Sequence, residues 1–194
     1  MKKLLALMLI LLVIPMCFAQ EVNPPAEPEF DLDLLYKMNQ KGDQFIKINL
    51  FVDIPFQPSI KQLHIGGAGA LGFHHFIADK LSIGGDLGFN YSETRGSNIY
   101  YFIPVLFRLT YQFEIGKFEI PLSLGLGGAF QTYSSEFYFG LLGHPELGFY
   151  WRINPEWSFG GIFGCYLIPQ WYKQEPKFYL GVIPSVGLSV RYHF

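Results

Sequence analysis

The sequence predicts an all-β protein, an eight-stranded antiparallel up-and-down transmembrane β-barrel. Three observations carry that prediction. Apolar residues alternate with a period of two through eight runs between Gly42 and Phe194, and no segment there has the 3.6-residue period of a helix. The runs reach roughly ten residues or more, enough to cross a bilayer at a tilt, whereas soluble strands average about five or six. Most runs have one large apolar face, and the other face is rich in Gly, Ala and Ser, which suits a narrow lumen.

Composition excludes several alternatives. The chain has 194 residues, 50% hydrophobic and only 15% charged, with 20 Phe, 12 Tyr and 21 Gly. Disordered chains are poor in aromatics and rich in charge. So much Gly and aromatic residue also argues against a helical enzyme. The net charge of −2 gives no basic face for nucleic acid, so no nucleic-acid partner is expected. One of the two cysteines, Cys17, lies in the leader, which leaves Cys165 alone and rules out a disulfide scaffold.

The leader comes first. Lys2 and Lys3 precede an apolar run from Leu4 to Met16 that Pro15 interrupts. That run falls short of the roughly 20 apolar residues of a membrane helix. Cys17 and Ala19 put small residues at −3 and −1 of a cut after Ala19, so residues 1–19 are expected to be a secretory signal peptide. Residues 20–41 hold Pro24, Pro25, Pro28 and five acids, and are expected to form an exposed periplasmic lead-in. The barrel is then expected over 42–194.

The eight runs follow in order. The first places Ile46, Ile48, Leu50, Val52 and Ile54 on its apolar face. The second alternates Leu63, Ile65, Leu71 and Phe73 with glycine on one face, and small residues and histidine on the other. The third uses Leu81, Ile83, Leu87, Phe89 and Tyr91. The fourth runs from Tyr101 to Phe113 by twos, and the fifth from Ile120 to Phe130. The sixth is weaker, with Leu147, Phe149 and Trp151 against His144, Glu146 and Arg152. The seventh spans Trp157 to Leu167, and the eighth Phe178 to Phe194. Aromatics gather at strand ends, where Trp151 and Trp157 flank one turn and Tyr192 and Phe194 close the last strand. Those are interface-girdle positions. Strands cross hydrocarbon only when every backbone group is paired, which forces closure.

The connections predict an orientation. Those around Phe76–Lys80, Glu114–Lys117 and Ile153–Glu156 are tight, and the other four are read as longer and more polar. Short turns face the periplasm, so the N- and C-termini are expected there.

The ending Val186-Gly-Leu-Ser-Val-Arg-Tyr-His-Phe194, with Tyr192 two residues before Phe194, resembles the signal that the barrel-assembly machinery reads. The text from Gly66 to Gly85 is similar to the first hairpins of small eight-stranded bacterial outer-membrane barrels of the OmpA, OmpX and OmpW kind. The resemblance covers most of 42–194. It implies an outer-membrane location, with lipid, the barrel-assembly machinery and periplasmic chaperones as partners. It specifies architecture far better than function.

Inward residues sort by height. Phe51, Tyr100, Phe102, Tyr133, Tyr166 and Tyr179 are expected in an aromatic upper lumen. Lys47, Asp86, Arg108, Glu119, Glu146, Arg152, Arg191 and His193 are expected below. Buried charges must pair, so Asp86 is expected to meet Arg108, and Glu146 to meet Arg191 or Lys47. An eight-stranded lumen is just wide enough for side chains to fill it, which makes this network a plug. The sharper alternative is a path for a small hydrophobic solute through the aromatic upper lumen, with a lateral exit. Beyond the leader Ile-Pro recurs five times, and Pro104 and Pro184 fall mid-run, where proline marks either a bulge or a gap in the wall.

Catalysis is not expected. His64, Ser134, Ser135 and Glu136 lie in no recognisable nucleophile motif. The five histidines lack short ligand spacing, so no metal or other cofactor is expected. His74 and His75 are placed at the periplasmic rim, and Cys165 at the lipid. The external loops, read as Gln57–Lys61, Ser92–Asn98, Ser134–Phe139 and Gln170–Lys177, are short, which leaves surface binding or adhesion as a third possibility. The leading expectation is a structural or passive-transport outer-membrane protein.

Overall fold

The computed structural model describes residues 39–55, 64–93, 99–133, 136–171 and 178–194. The expected signal cleavage at Ala19 and most of the lead-in lie outside the described residues. Eight strands follow one another: β1 Gln44–Asp53, β2 Gly66–Ala78, β3 Leu81–Glu93, β4 Ile99–Ile115, β5 Phe118–Tyr133, β6 Glu136–Arg152, β7 Trp157–Trp171 and β8 Phe178–His193. Each pairs antiparallel with its sequence neighbours, and β1 also pairs with β8, so the sheet closes into an up-and-down barrel. The end holding Gln44, Arg152 and His193 is called the lower end here.

Alternation sets the two faces. Along β1 the even residues Ile46, Ile48, Leu50 and Val52 are exposed, and Phe45, Lys47, Asn49, Phe51 and Asp53 are buried. The same apolar-out pattern continues round the wall with Leu87, Phe107, Leu126, Phe163 and Leu188, the last 73% exposed. The interior is where the polar residues sit. That inversion of a soluble protein is stable only where hydrocarbon covers the outside.

The lower turns are tight. Lys80 and Gly116 take φ of 63° and 60°, the left-handed backbone that short hairpins require. The seam between β1 and β8 is held at its ends. Gln44 and Phe194 exchange backbone bonds of 3.3 and 3.0 Å, and the Ile54 amide donates to the Pro184 carbonyl at 2.8 Å.

Two boundaries differ most from the sequence reading. The sixth strand begins at Glu136, not near His144, and Tyr133 still pairs with Glu136, so only residues 134–135 separate β5 from β6. The expected Ser134–Phe139 loop is therefore mostly strand. Gly140, Gly143 and Pro145 mask its alternation, and pairing with the long β5 overrides their weak strand propensity. β7 likewise extends to Trp171, through Pro169.

The prolines interrupt bonding without shifting register. On β3 and β4, Leu87 pairs with Val105 and Asn90 with Phe102 in one register, and no pair forms between them. Pro104 fills that place, and its ring leans on Gly88, where a Cβ would lie 2.9 Å from Pro104 Cγ. Pro121 stands against Gly148 in the same way between β5 and β6. Pro104 is thus neither a bulge nor an opening. Pro184 lies at the upper end of the seam. The bonding stops early elsewhere: the β6–β7 ladder ends at Gly143–Leu167, just beyond Pro145. Above it, among the described residues, β6 pairs only with β5 and β7 only with β8.

Candidate functional site

The lumen is the candidate site, and its filling falls into three tiers. The middle tier is ionic. Lys47 Nζ lies 3.1 Å from Asp86 Oδ2 and 3.2 Å from Glu146 Oε1. Arg108 Nε donates to Asp86 Oδ2 at 2.5 Å, and its Nη1 lies 3.6 Å from Glu146 Oε2. Two cations thus face two carboxylates, each cation touching both, and all four are at least 95% buried. Two histidines extend the tier. His74 Nε2 sits 3.0 Å from Asp86 Oδ1, and Arg108 Nη2 donates to His144 Nδ1 at 2.8 Å. A buried pair is costly unless its remaining lone pairs and protons are also met, and this cluster meets most of them within itself.

The register explains how long charged side chains fit. Lys47, Gly72 and Asp86 form one inward row across β1, β2 and β3. A Cβ on Gly72 would overlap the Asp86 carboxylate and come within 2.9 Å of Lys47 Cε. Gly164 gives room in the same way beside Glu146, where a Cβ would lie 2.5 Å from His144 Nε2.

The lower tier centres on Glu119. Arg152 donates to Glu119 Oε1 through both Nε and Nη2, and Arg191 Nη1 lies 3.7 Å from Glu119 Oε2. Arg191 also donates to Gln112 Oε1 at 3.1 Å and lies 3.8 Å over the Tyr150 ring. Asn39, just before β1, is 2% exposed and inserts here from the lead-in. Its amide donates to Glu114 Oε1 at 2.6 Å, and its backbone takes a left-handed φ of 60°.

The upper tier is apolar. Phe102, Leu106, Ala129, Leu142, Tyr166, Ile168 and Ile183 pack together, with Tyr100 against them. The rings of Phe102 and Tyr166 meet edge to face at 5.3 Å, and Tyr166 stacks on His144 at 3.9 Å, joining this tier to the ionic one. Between the two lies a cavity of about 10 Å³, room for roughly one water.

The sequence-predicted residues divide as follows. Lys47, Asp86, Arg108 and Glu146 come together. Arg191 does not join them, but belongs to the Glu119 group one tier lower. On β8 it stands beside Lys47 in register, and a cation placed there turns away from a like charge toward Glu119, whose Oε2 Arg152 leaves unbonded. Tyr100, Phe102 and Tyr166 share the upper core. Phe51 does not: it packs with Tyr150 and Ile162 in a separate cluster. The side chains of Tyr133 and Tyr179 lie outside the described residues. His74 is not at the rim but fully buried in the ionic tier. Sequence reasoning missed its role and that of His144. The available signal was inward parity, which both share with the charged residues. Tyr192 and Phe194 face outward, their rings 6.0 Å apart, with Trp157 4.9 Å from Tyr192. Cys165 is half-buried on the wall, opposite Pro184.

Fold and lumen together define a small eight-stranded barrel of the outer-membrane type, with a filled interior. Comparison with known proteins agrees. A sequence-family profile matches residues 26–192. An uncharacterised Treponema pallidum (strain Nichols) protein is 35% identical over 199 residues, covering 90% of this chain and 87% of that one, and this chain belongs to the same family. Among solved structures, Neisserial surface protein A matches with a TM-score of 0.60 at 11% identity, covering 79% of this chain and all of that one. The outer membrane protein OprG of Pseudomonas aeruginosa matches with a TM-score of 0.54 at 15% identity, covering 80% of this chain and 97% of that one. These two share the fold.

Proposed function

We propose that this chain is an integral outer-membrane protein with a structural role, whose lumen carries no solute through and performs no catalysis. The observation that supports this reading is the stack of tiers. The Glu119 group, the Lys47–Asp86–Arg108–Glu146 cluster and the Phe102–Tyr166 core each fill the cross-section of a barrel only wide enough for side chains. A hydrated ion would have to break buried ion pairs to pass. In this reading outer-membrane lipid covers the exposed wall, both termini face the periplasm, and the barrel-assembly machinery and periplasmic chaperones handle the chain through its Tyr192–Phe194 ending. The test is conductance of the refolded mature protein in planar bilayers. A silent bilayer with heat-modifiable, inserted protein is the expected result, and steady single-channel steps would overturn the reading.

A second reading has one observation in its favour. The β6–β7 ladder ends at Gly143–Leu167, and the buried side chains of Leu142 and Ile168 just above it belong to the apolar tier. A small hydrophobic solute entering the upper lumen would leave sideways there. Uptake of an apolar solute into vesicles, lost in Phe102→Ala and Tyr166→Ala barrels that still fold, would favour it. Uptake that both variants leave unchanged removes it.

A further inference from the structure

The register leaves a gap between the ionic tier and the apolar core. One level above the row of Lys47, Gly72 and Asp86 runs the inward row of Asn49, Ala70 and Gly88, in which two small residues stand side by side. The Pro104 ring takes up part of the room over Gly88. What remains is the cavity of about 10 Å³, lined by Leu106 and Tyr166 from the apolar core and by Arg108 and Glu146 from the ionic tier.

Three of the lining residues each bring a buried polar atom that no protein group bonds: Asn49 Nδ2, Arg108 Nη1 and Glu146 Oε2. The other polar atoms of the same side chains are committed. Ser189 Oγ donates to Asn49 Oδ1 at 2.6 Å. Arg108 Nε and Nη2 bond Asp86 and His144, and Lys47 donates to Glu146 Oε1. Arg108 Nη1 and Glu146 Oε2 stand 3.6 Å apart, too far for a direct hydrogen bond and within reach of one bridging molecule. His144 Nε2 is also unpaired, but it lies against Gly164, where a Cβ would come within 2.5 Å of it.

We propose that this cavity is the binding site of a single water molecule, which accepts from Arg108 Nη1 and Asn49 Nδ2 and donates to Glu146 Oε2. The volume suits one water, and a buried water takes two to four polar partners. Two donors and one acceptor match a ligand that both accepts and donates. Charge excludes an ion. Lys47 and Arg108 already balance Asp86 and Glu146, so an ion of either sign would leave a net charge buried. The water ties Asn49 on β1 to Arg108 on β4 and Glu146 on β6, and so completes the ionic tier on the side that faces the apolar core.

The test is cross-relaxation from water to methyl protons by NMR, on deuterated mature protein with protonated Ala, Leu and Ile methyls, refolded into detergent. A water held in the cavity is expected to give NOE and ROE cross-peaks of opposite sign at Ala70 and Leu106, and none at Ile168 in the apolar core. Ala70→Val, which adds bulk to the cavity wall, is expected to abolish the Leu106 peak while the barrel stays resistant to cold SDS. Where that variant does not fold, Asn49→Leu takes its place and is expected to weaken both peaks several-fold. A wild type with no peak at Ala70 or Leu106 overturns the proposal, as do peaks that the variant leaves unchanged. Peaks that extend to Ile168 overturn it too, because they mean a hydrated lumen and not a site for one water. Bilayer conductance decides the closed-lumen reading separately, since a silent barrel can hold a dry cavity.

Discussion

Lys47 on β1 reaches Asp86 on β3 across the whole width of β2, with Nζ and Oδ2 3.1 Å apart. The residue between them in register is Gly72. A contact between second-neighbour strands needs an intervening residue with no side chain, so the ionic tier depends on a glycine that bears no charge. Gly72→Ala is expected to force the carboxylate aside and destabilise the barrel by about 1–3 kcal/mol, the usual cost of overpacking a tight interior. Urea unfolding in lipid vesicles checks this. Gly67, which faces outward with nothing within 4 Å of its would-be Cβ, is the control, and Gly67→Ala is expected to be near neutral.

The four central charges cancel, so removing one costs more than removing a pair. Lys47→Met leaves Asp86 and Glu146 sharing Arg108 alone, and is expected to cost about 3–5 kcal/mol, the range for breaking a buried pair. Adding Glu146→Gln to Lys47→Met restores neutrality and is expected to recover at least half of that loss. A double-mutant cycle by urea unfolding reads this coupling. Additive losses would mean that the tier is a set of independent contacts.

Asn39 tests how the lower end is closed. Its φ of 60° suits Asn or Gly, and its side chain bonds Glu114. Asn39→Gly keeps the backbone and loses the bond, so a cost of about 1 kcal/mol is expected. Asn39→Ala loses the bond and adds left-handed strain, for about 1–2 kcal/mol more. The order wild type, Gly, Ala in unfolding midpoint is the expected outcome.

The chain ending is the fourth target. Deleting Phe194 leaves the lumen intact but removes the aromatic end and two backbone bonds to Gln44 at the seam. In cells, less heat-modifiable barrel should accumulate in the membrane fraction. Refolding into detergent should be nearly as efficient as for the full chain. Equal accumulation in cells would remove the assembly role given to this ending.

Much of the architecture was legible because a barrel wall is written in a two-residue code. Every strand turns alternate residues to opposite media, so the large apolar members, such as Ile48 and Leu50 or Phe107 and Leu109, mark the wall, and their inward neighbours mark the lumen. The sixth strand was the least legible because Gly140, Gly143 and Pro145 break that code locally, and its upper half is strand because β5 is there to pair with it. The code also selected Lys47, Asp86, Arg108 and Glu146 as inward charges.

Sequence by itself therefore determined the strand number, the wall, the lumen and most of the charges the lumen contains, Asp53 excepted. Only the tertiary structure decided who meets whom. Parity tells which way a side chain points, and it says little about height once eight tilted strands are staggered around a closed barrel. That stagger sends Arg191 to Glu119 and away from Glu146, draws His74 off the rim and into the ionic tier, and takes Phe51 out of the upper core. It also leaves Asp53 as the buried acid without a cation among the described residues. Pairing inside a barrel is a relation between strands, fixed by register and by the glycines that let side chains reach past one another.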